Sequence, residues 1–207
     1  LKAQNYLKKQ SAEDEKKRPD RDLRMETLGR VLSGELPLLV TAHRATDLLS
    51  AVRVAKEFGI KLVLDGAAES YLIIDEIKAA GIPVIIHPTM ARSGRGETEN
   101  ISFETASKLR KAGIPVALQS GYESYVPKTR VVLFEAGVAA ANGLSFEDAL
   151  SLVTIDAARI LGIADRVGSI EPGKDADLAL FDGDPFEYTS HCIGVVINGE
   201  TVSDEAR

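Results

Sequence analysis

The stretch Ile73-Ile-Asp-Glu-Ile-Lys-Ala-Ala-Gly-Ile-Pro-Val-Ile-Ile-His87 contains the unit from which the rest of the chain is built. Ile73, Ile77 and Ala80 fall at i, i+4 and i+7, which puts them on one face of a helix. Gly81 follows, suited to the left-handed backbone that ends helices. Pro83 to Ile86 is then apolar at every position and rich in branched side chains. A strand with one wet face would alternate, so this run predicts a strand buried on both faces in a parallel sheet. His87 stands at its C-terminal end.

The same unit recurs on both sides. Strand-like runs occur at Leu36 to Thr41, Lys61 to Leu64 and Pro115 to Leu118, and Leu48, Val52 and Ala55 repeat the helical spacing. The helical segments close at Gly59, Gly81 and Gly113, about one β/α unit apart. A run of βα units makes an α/β protein, either a doubly wound sheet or part of a β/α barrel. Further helices are predicted from Tyr125 to Asn142 and from the capping-box spacing Ser145-Phe-Glu-Asp148 through to Leu161. After Gly162 the texture changes. Leu178 to Phe181 reads as a strand, and Val195 to Val202 reads as a hairpin on an Asn-Gly turn. The expected organisation is a charged arm and surface helix over 1–30, barrel units over 31–163, and a separate β segment over 164–207.

Composition sets outer limits. The 207 residues are 44% hydrophobic, enough for a sizeable core, and the formal charge is −6. An acidic balance argues against nucleic acid or an anionic membrane surface as partner, since both need clustered Lys and Arg. No apolar run approaches the roughly 18 residues of a membrane span. Cys192 is the single cysteine, so no intrachain disulfide forms. The chain begins at Leu1, and a preceding segment is therefore expected.

Three stretches carry a family resemblance. Thr154-Ile-Asp-Ala-Ala-Arg-Ile-Leu-Gly-Ile163 with Gly168-Ser-Ile-Glu-Pro-Gly-Lys-Asp-Ala-Asp-Leu-Ala-Leu-Phe-Asp182 resembles the C-terminal signature of the amidohydrolase superfamily. Val40-Thr-Ala-His-Arg-Ala-Thr-Asp47 looks like that family's fifth-strand motif, and Leu64 to Tyr71 resembles its sixth strand and loop. The likeness covers most of 36–202 and is nearest to imidazolonepropionase-like members. It implies the C-terminal half of a TIM-type (β/α)8 barrel, strands five to eight, followed by part of a small β-sandwich. Strands one to four, with the family's His-x-His pair and bridging Lys or Glu, lie outside the sequence.

The resemblance also implies a metal-dependent hydrolase working with zinc or a similar divalent ion. His43 matches the fifth-strand ligand. The sixth-strand ligand falls on Gly66, which has no donor atom, and neighbouring Asp65 is expected to face away from the lumen. The eighth-strand Asp, ligand and general base in the family, falls on Gly121; Glu123, two residues on, is the weak substitute. His87 reads as a substrate contact or substitute ligand, against a purely structural histidine. Arg44, Glu69, Tyr71 and Tyr122 join it as candidate substrate-binding residues at the same predicted mouth, while His191 falls outside it. The loop Met90 to Asn100 reads as an exposed βα loop or a lid.

Two readings stay open. One is an amidohydrolase-like enzyme cleaving a carbon–nitrogen bond of a small cyclic amide, amidine or peptide-like substrate with residues outside this chain. The other is a catalytically inactive homologue serving as a binding or partner subunit. In both, half a barrel exposes two sheet edges, so its expected partner is the missing N-terminal half or another copy of the chain.

Overall fold

The computed structural model describes residues 1–14, 16, 18–87, 96–123, 126–127 and 131–204, with backbone alone for 122, 123, 126 and 127. Strands β1 (Leu38–Ala42), β2 (Leu62–Gly66), β3 (Val84–Ile86) and β4 (Val116–Leu118) form a parallel sheet in the order β1-β2-β3-β4. Neighbours in sequence are neighbours in the sheet, the strand order of a barrel wall. Helices α3 (Ala45–Phe58), α4 (Ile74–Ala80) and α5 (Thr105–Lys111) connect the strands. The fold is α/β, one half of a TIM-type barrel.

The core lies between the sheet and its helices. Leu62, Leu64, Val84, Ile86, Val116 and Leu118 pack against Leu48 and Val52 of α3, Ile77 of α4 and Leu109 of α5. Alternate strand residues turn to the other face, which is the barrel lumen. There Leu39 is 56% exposed, an apolar side chain on an uncovered inner wall.

Three expectations are corrected. First, the helix predicted from Tyr125 begins only at α6 (Val132–Ala141); Tyr122–Glu123 and Val126–Pro127 pair antiparallel as β5 and β6. Pro127 lacks an N–H and disfavours helical backbone before it. Second, the helix from Ser145 to Leu161 is two, α7 (Phe146–Ser151) and α8 (Ile155–Leu161). The Ser145 cap forms as expected, with Oγ accepting from Asp148 N at 3.1 Å. The break follows because the Leu152 carbonyl accepts from Leu118 N at the end of β4, a bond that tertiary packing alone supplies. Third, the expected N-terminal arm is helical, α1 (Lys2–Gln10) against α2 (Leu23–Leu32). Tyr6 explains it: its buried hydroxyl accepts from Gln10 Nε2 and from Asp22 N, closing the hairpin.

Beyond α8, strands β7 (Leu178–Phe181), β8 (Cys192–Ile197) and β9 (Glu200–Ser203) form a separate antiparallel sheet. The β8–β9 turn is Asn198-Gly199, both at positive φ, as the sequence implies. Arg110 of α5 bonds Asp148 and the buried Asp156, joining the last barrel helices. No described helix is long and apolar enough to cross a membrane.

Candidate active site

Sheet register builds the site. Thr41, Asp65, Ile85 and Ala117 align in one row across β1 to β4. Since Leu64, Val84 and Val116 face the helices, this row faces the lumen. Two residues further along each chain come His43, Ala67, His87 and Gln119, at the C-terminal mouth where barrel enzymes carry their chemistry.

Asp65 therefore points inward, correcting the outward placement read from the sequence. Its Oδ2 accepts from Thr41 Oγ1 at 2.6 Å and its Oδ1 accepts from Gln119 Nε2 at 2.8 Å. The family resemblance puts Gly66 at the inward position, but regular alternation ends at that glycine. Ala67 N donates back to Asp65 O at 3.0 Å and also to Ala42 O at 2.7 Å. Gly66 has φ +78°, and the two-residue bond makes a γ-turn that swings the chain. Ala67, with φ +46°, shares the strain.

The turn aims position 66 at His43. A Cβ there would stand 2.7 Å from His43 Cε1 and 3.2 Å from its Nδ1. The imidazole thus fills the space a side chain at 66 would need. Among the described residues, His43 Nδ1 is buried without a hydrogen-bond partner, a state that is rare for buried polar atoms. Gly66→Ala is expected to lower unfolding free energy by about 1–3 kcal/mol, combining left-handed strain with displacement of the ring. Urea denaturation measures it, and an unchanged midpoint would contradict the packing described.

His87 is 2% exposed at the end of β3, and its backbone N–H donates to Gly66 O at 2.7 Å. Glu69 is committed locally. Its Oε2 accepts from Ala45 N at 2.8 Å, capping α3, where Arg44 offers no side-chain cap. Its Oε1 accepts from Asn100 Nδ2 at 2.7 Å. The Ala45 N–H first, then the Asn100 amide, hold the Glu69 carboxyl below its ordinary range, with nearby Arg44 adding to the effect. Tyr71 donates to Asn100 O at 3.2 Å, and the Lys108 ammonium lies 5.0 Å from its ring centroid. Glu69 and Tyr71 thus tie the Asn100 segment to the mouth.

The side chains of Tyr122 and Glu123 lie outside the described residues, as do residues 90–95 of the expected loop or lid. Gly121 is half-buried at φ +72°. His191, 3.4 Å from Asp182, lies just before β8, away from the mouth. The sequence signals Thr41, Gln119 and Asn100 only weakly; period-two alternation from the core-facing Val40 and Leu118 points to the first two. A cavity of about 810 Å³ between Leu36, Lys61, Pro83 and Leu161 lies at the opposite, N-terminal ends of the strands.

A hydrolytic metal centre needs about three protein ligands and an open water position. Among the described residues, no three His, Cys, Asp or Glu side chains are placed to share an ion. Positions 66 and 121 offer no donor atom. These residues by themselves do not fit the divalent ion that the resemblance implies.

Comparison with known proteins agrees with the architecture. An amidohydrolase from Thermotoga maritima superposes with a TM-score of 0.91 at 38% identity, over 99% of this chain and 53% of that one. Imidazolonepropionase from Syntrophobacter fumaroxidans is 33% identical over 117 residues, 56% of this chain and 26% of the relative. A zinc-bound adenosine deaminase from Xanthomonas campestris shares the fold at 19% identity, TM-score 0.62, over 88% of this chain and 48% of that one. The chain thus spans about half the length of these solved structures and about a quarter of that imidazolonepropionase. The amidohydrolase family model matches residues 70–203, more than half of the sequence. With a four-stranded barrel wall, a following antiparallel sheet and that match, the chain belongs to the amidohydrolase family.

Proposed function

We propose that the complete protein is a hydrolase cleaving a carbon–nitrogen bond of a small cyclic amide, amidine or peptide-like substrate, and that this chain forms one wall of its site. The observation carrying this reading is the Asp65 carboxylate on the lumen face of a barrel wall of this family, held by Thr41 and Gln119, with His43 and His87 at the C-terminal ends of the neighbouring strands. His87 contacts substrate from β3, while Arg44, Glu69, Tyr71 and Tyr122 shape the mouth. His43 is the one retained ligand position for a zinc-like ion, and the other ligands and the base come from outside this chain. The open edges of β1 and β4 pair with the complementary half-barrel, supplied by a longer chain or a second copy.

A second reading is favoured by Gly66 and by the His43 ring seated over it: a homologue that binds but does not hydrolyse. Full-length protein, assayed with zinc or manganese on five-membered cyclic imides, cyclic amidines and dipeptides, separates the two. Turnover that falls at least tenfold in His87→Ala supports the hydrolase. Folded protein that turns over none of the three classes, with or without metal, overturns it in favour of the binding homologue.

A further inference from the structure

We infer that Asp65 sets substrate specificity by pairing with a cationic nitrogen group, an amidinium, guanidinium or protonated amine. The inference rests on the proposed carbon–nitrogen hydrolase reading and narrows its substrate class.

Asp65 lies on the inner wall, one row below His43 and His87. Its carboxylate is oriented by Thr41 from β1 and Gln119 from β4, one hydrogen bond to each oxygen. Both donors are neutral. They fix the direction of the carboxylate without offsetting its charge. Among the described residues no Lys, Arg or His forms an ion pair with it; Arg110 of α5 and Arg159 of α8 pair with Asp148 and Asp156, outside the lumen. Each carboxylate oxygen retains acceptor capacity beyond the bond it makes.

The energetic argument follows from closure. In this half-barrel Asp65 is partly open to solvent. Completion of the barrel encloses the lumen, and an enclosed carboxylate without a counter-charge is costly. A cation must then reach it. Substrate is the source consistent with its position, since the carboxylate lies below the mouth and is pre-oriented by groups that cannot neutralise it. Planar amidinium or guanidinium matches a carboxylate in shape as well as charge. A Lys or Arg from the complementary half of the barrel is the competing source.

The test uses full-length protein and Asp65→Asn, which removes charge at constant shape; the Gln119 amide can rotate to restore its hydrogen bond. Substrates are a cyclic amidine and the cyclic amide of the same ring. The expected result is a loss of kcat/KM of about 10- to 100-fold on the amidine, seen mainly in KM, as for a lost hydrogen-bonded charge partner. The loss on the neutral amide should be smaller by about tenfold or more, so that the preference for the amidine narrows by that factor. Equal losses on both substrates overturn the inference. Thr41→Val, which keeps the charge, should keep the preference for the amidine.

A readout independent of turnover distinguishes this inference from the hydrolase reading. Benzamidine should raise the melting temperature of the parent protein, benzamide should not, and Asp65→Asn should abolish the difference. That pattern without hydrolysis leaves the cation subsite standing and removes the enzyme. Equal responses to the two probes in the parent protein overturn the subsite, pointing to a cation supplied by the other half of the barrel.

Discussion

Gly168→Ala is expected to lower the unfolding free energy by about 4 kcal/mol, combining backbone strain with overpacking, each worth about 1–3 kcal/mol. Gly168 opens the turn of the C-terminal signature at φ +96°. That conformation is far easier for glycine than for any residue with a Cβ. An added Cβ would stand 2.9 Å from Ile155 Cα and 2.9 Å from Ala158 Cβ, both in α8. Ile155 contributes backbone atoms there, so no rotamer change relieves the contact. The turn sits where the barrel helices hand over to the β7–β9 sheet, and Arg166 and Asp175 pair across it. Urea denaturation of the variant should show a lower midpoint, and a loss below about 1 kcal/mol would mean that the turn moves off α8 at little cost.

The second large effect is in the core. Leu64→Ala should cost about 3–4 kcal/mol, the range for a fully enclosed leucine that leaves a cavity. Leu64 is wholly buried in the centre of β2, in register with Val40 and Val84, among the side chains of the helix layer. Leu39 on the lumen face is the informative control. In this chain it is largely exposed, so Leu39→Ala should stay within about 0.5 kcal/mol, as surface changes do. In a complete barrel the same change should approach core values, about 2 kcal/mol or more, because the lumen is then filled. Matching small losses in both forms would contradict closure over this wall.

Much of the architecture was legible in the residues. Four short apolar runs, each ending near a polar mouth and set off by glycine or proline, gave β1 to β4 to within one or two residues. Asn198-Gly199 gave the β8–β9 turn for an equally local reason. The failures were those of distant partners. Tyr6 needed Asp22 to make a helical hairpin of a charged arm, and Leu152 needed the Leu118 N–H to break a helix that its own periodicity would have continued.

At the site, sequence determined which donors are present: His43 and His87 at strand ends, and glycine at 66 and 121. Only the tertiary structure decided where they point. A strict two-residue alternation sends Asp65 outward if position 66 is taken as inward. The γ-turn at Gly66 breaks that alternation, so Asp65 faces the lumen while a Cβ at residue 66 would run into the His43 ring. Backbone hydrogen bonds from Ala67 to Ala42 and Asp65 hold that turn, and bonds between strands are set by packing rather than by local preference. Composition and spacing therefore determined the barrel wall and its chemical inventory. The third dimension determined which carboxylate lines the lumen, because strand register and one left-handed glycine outweigh the pattern written along the chain.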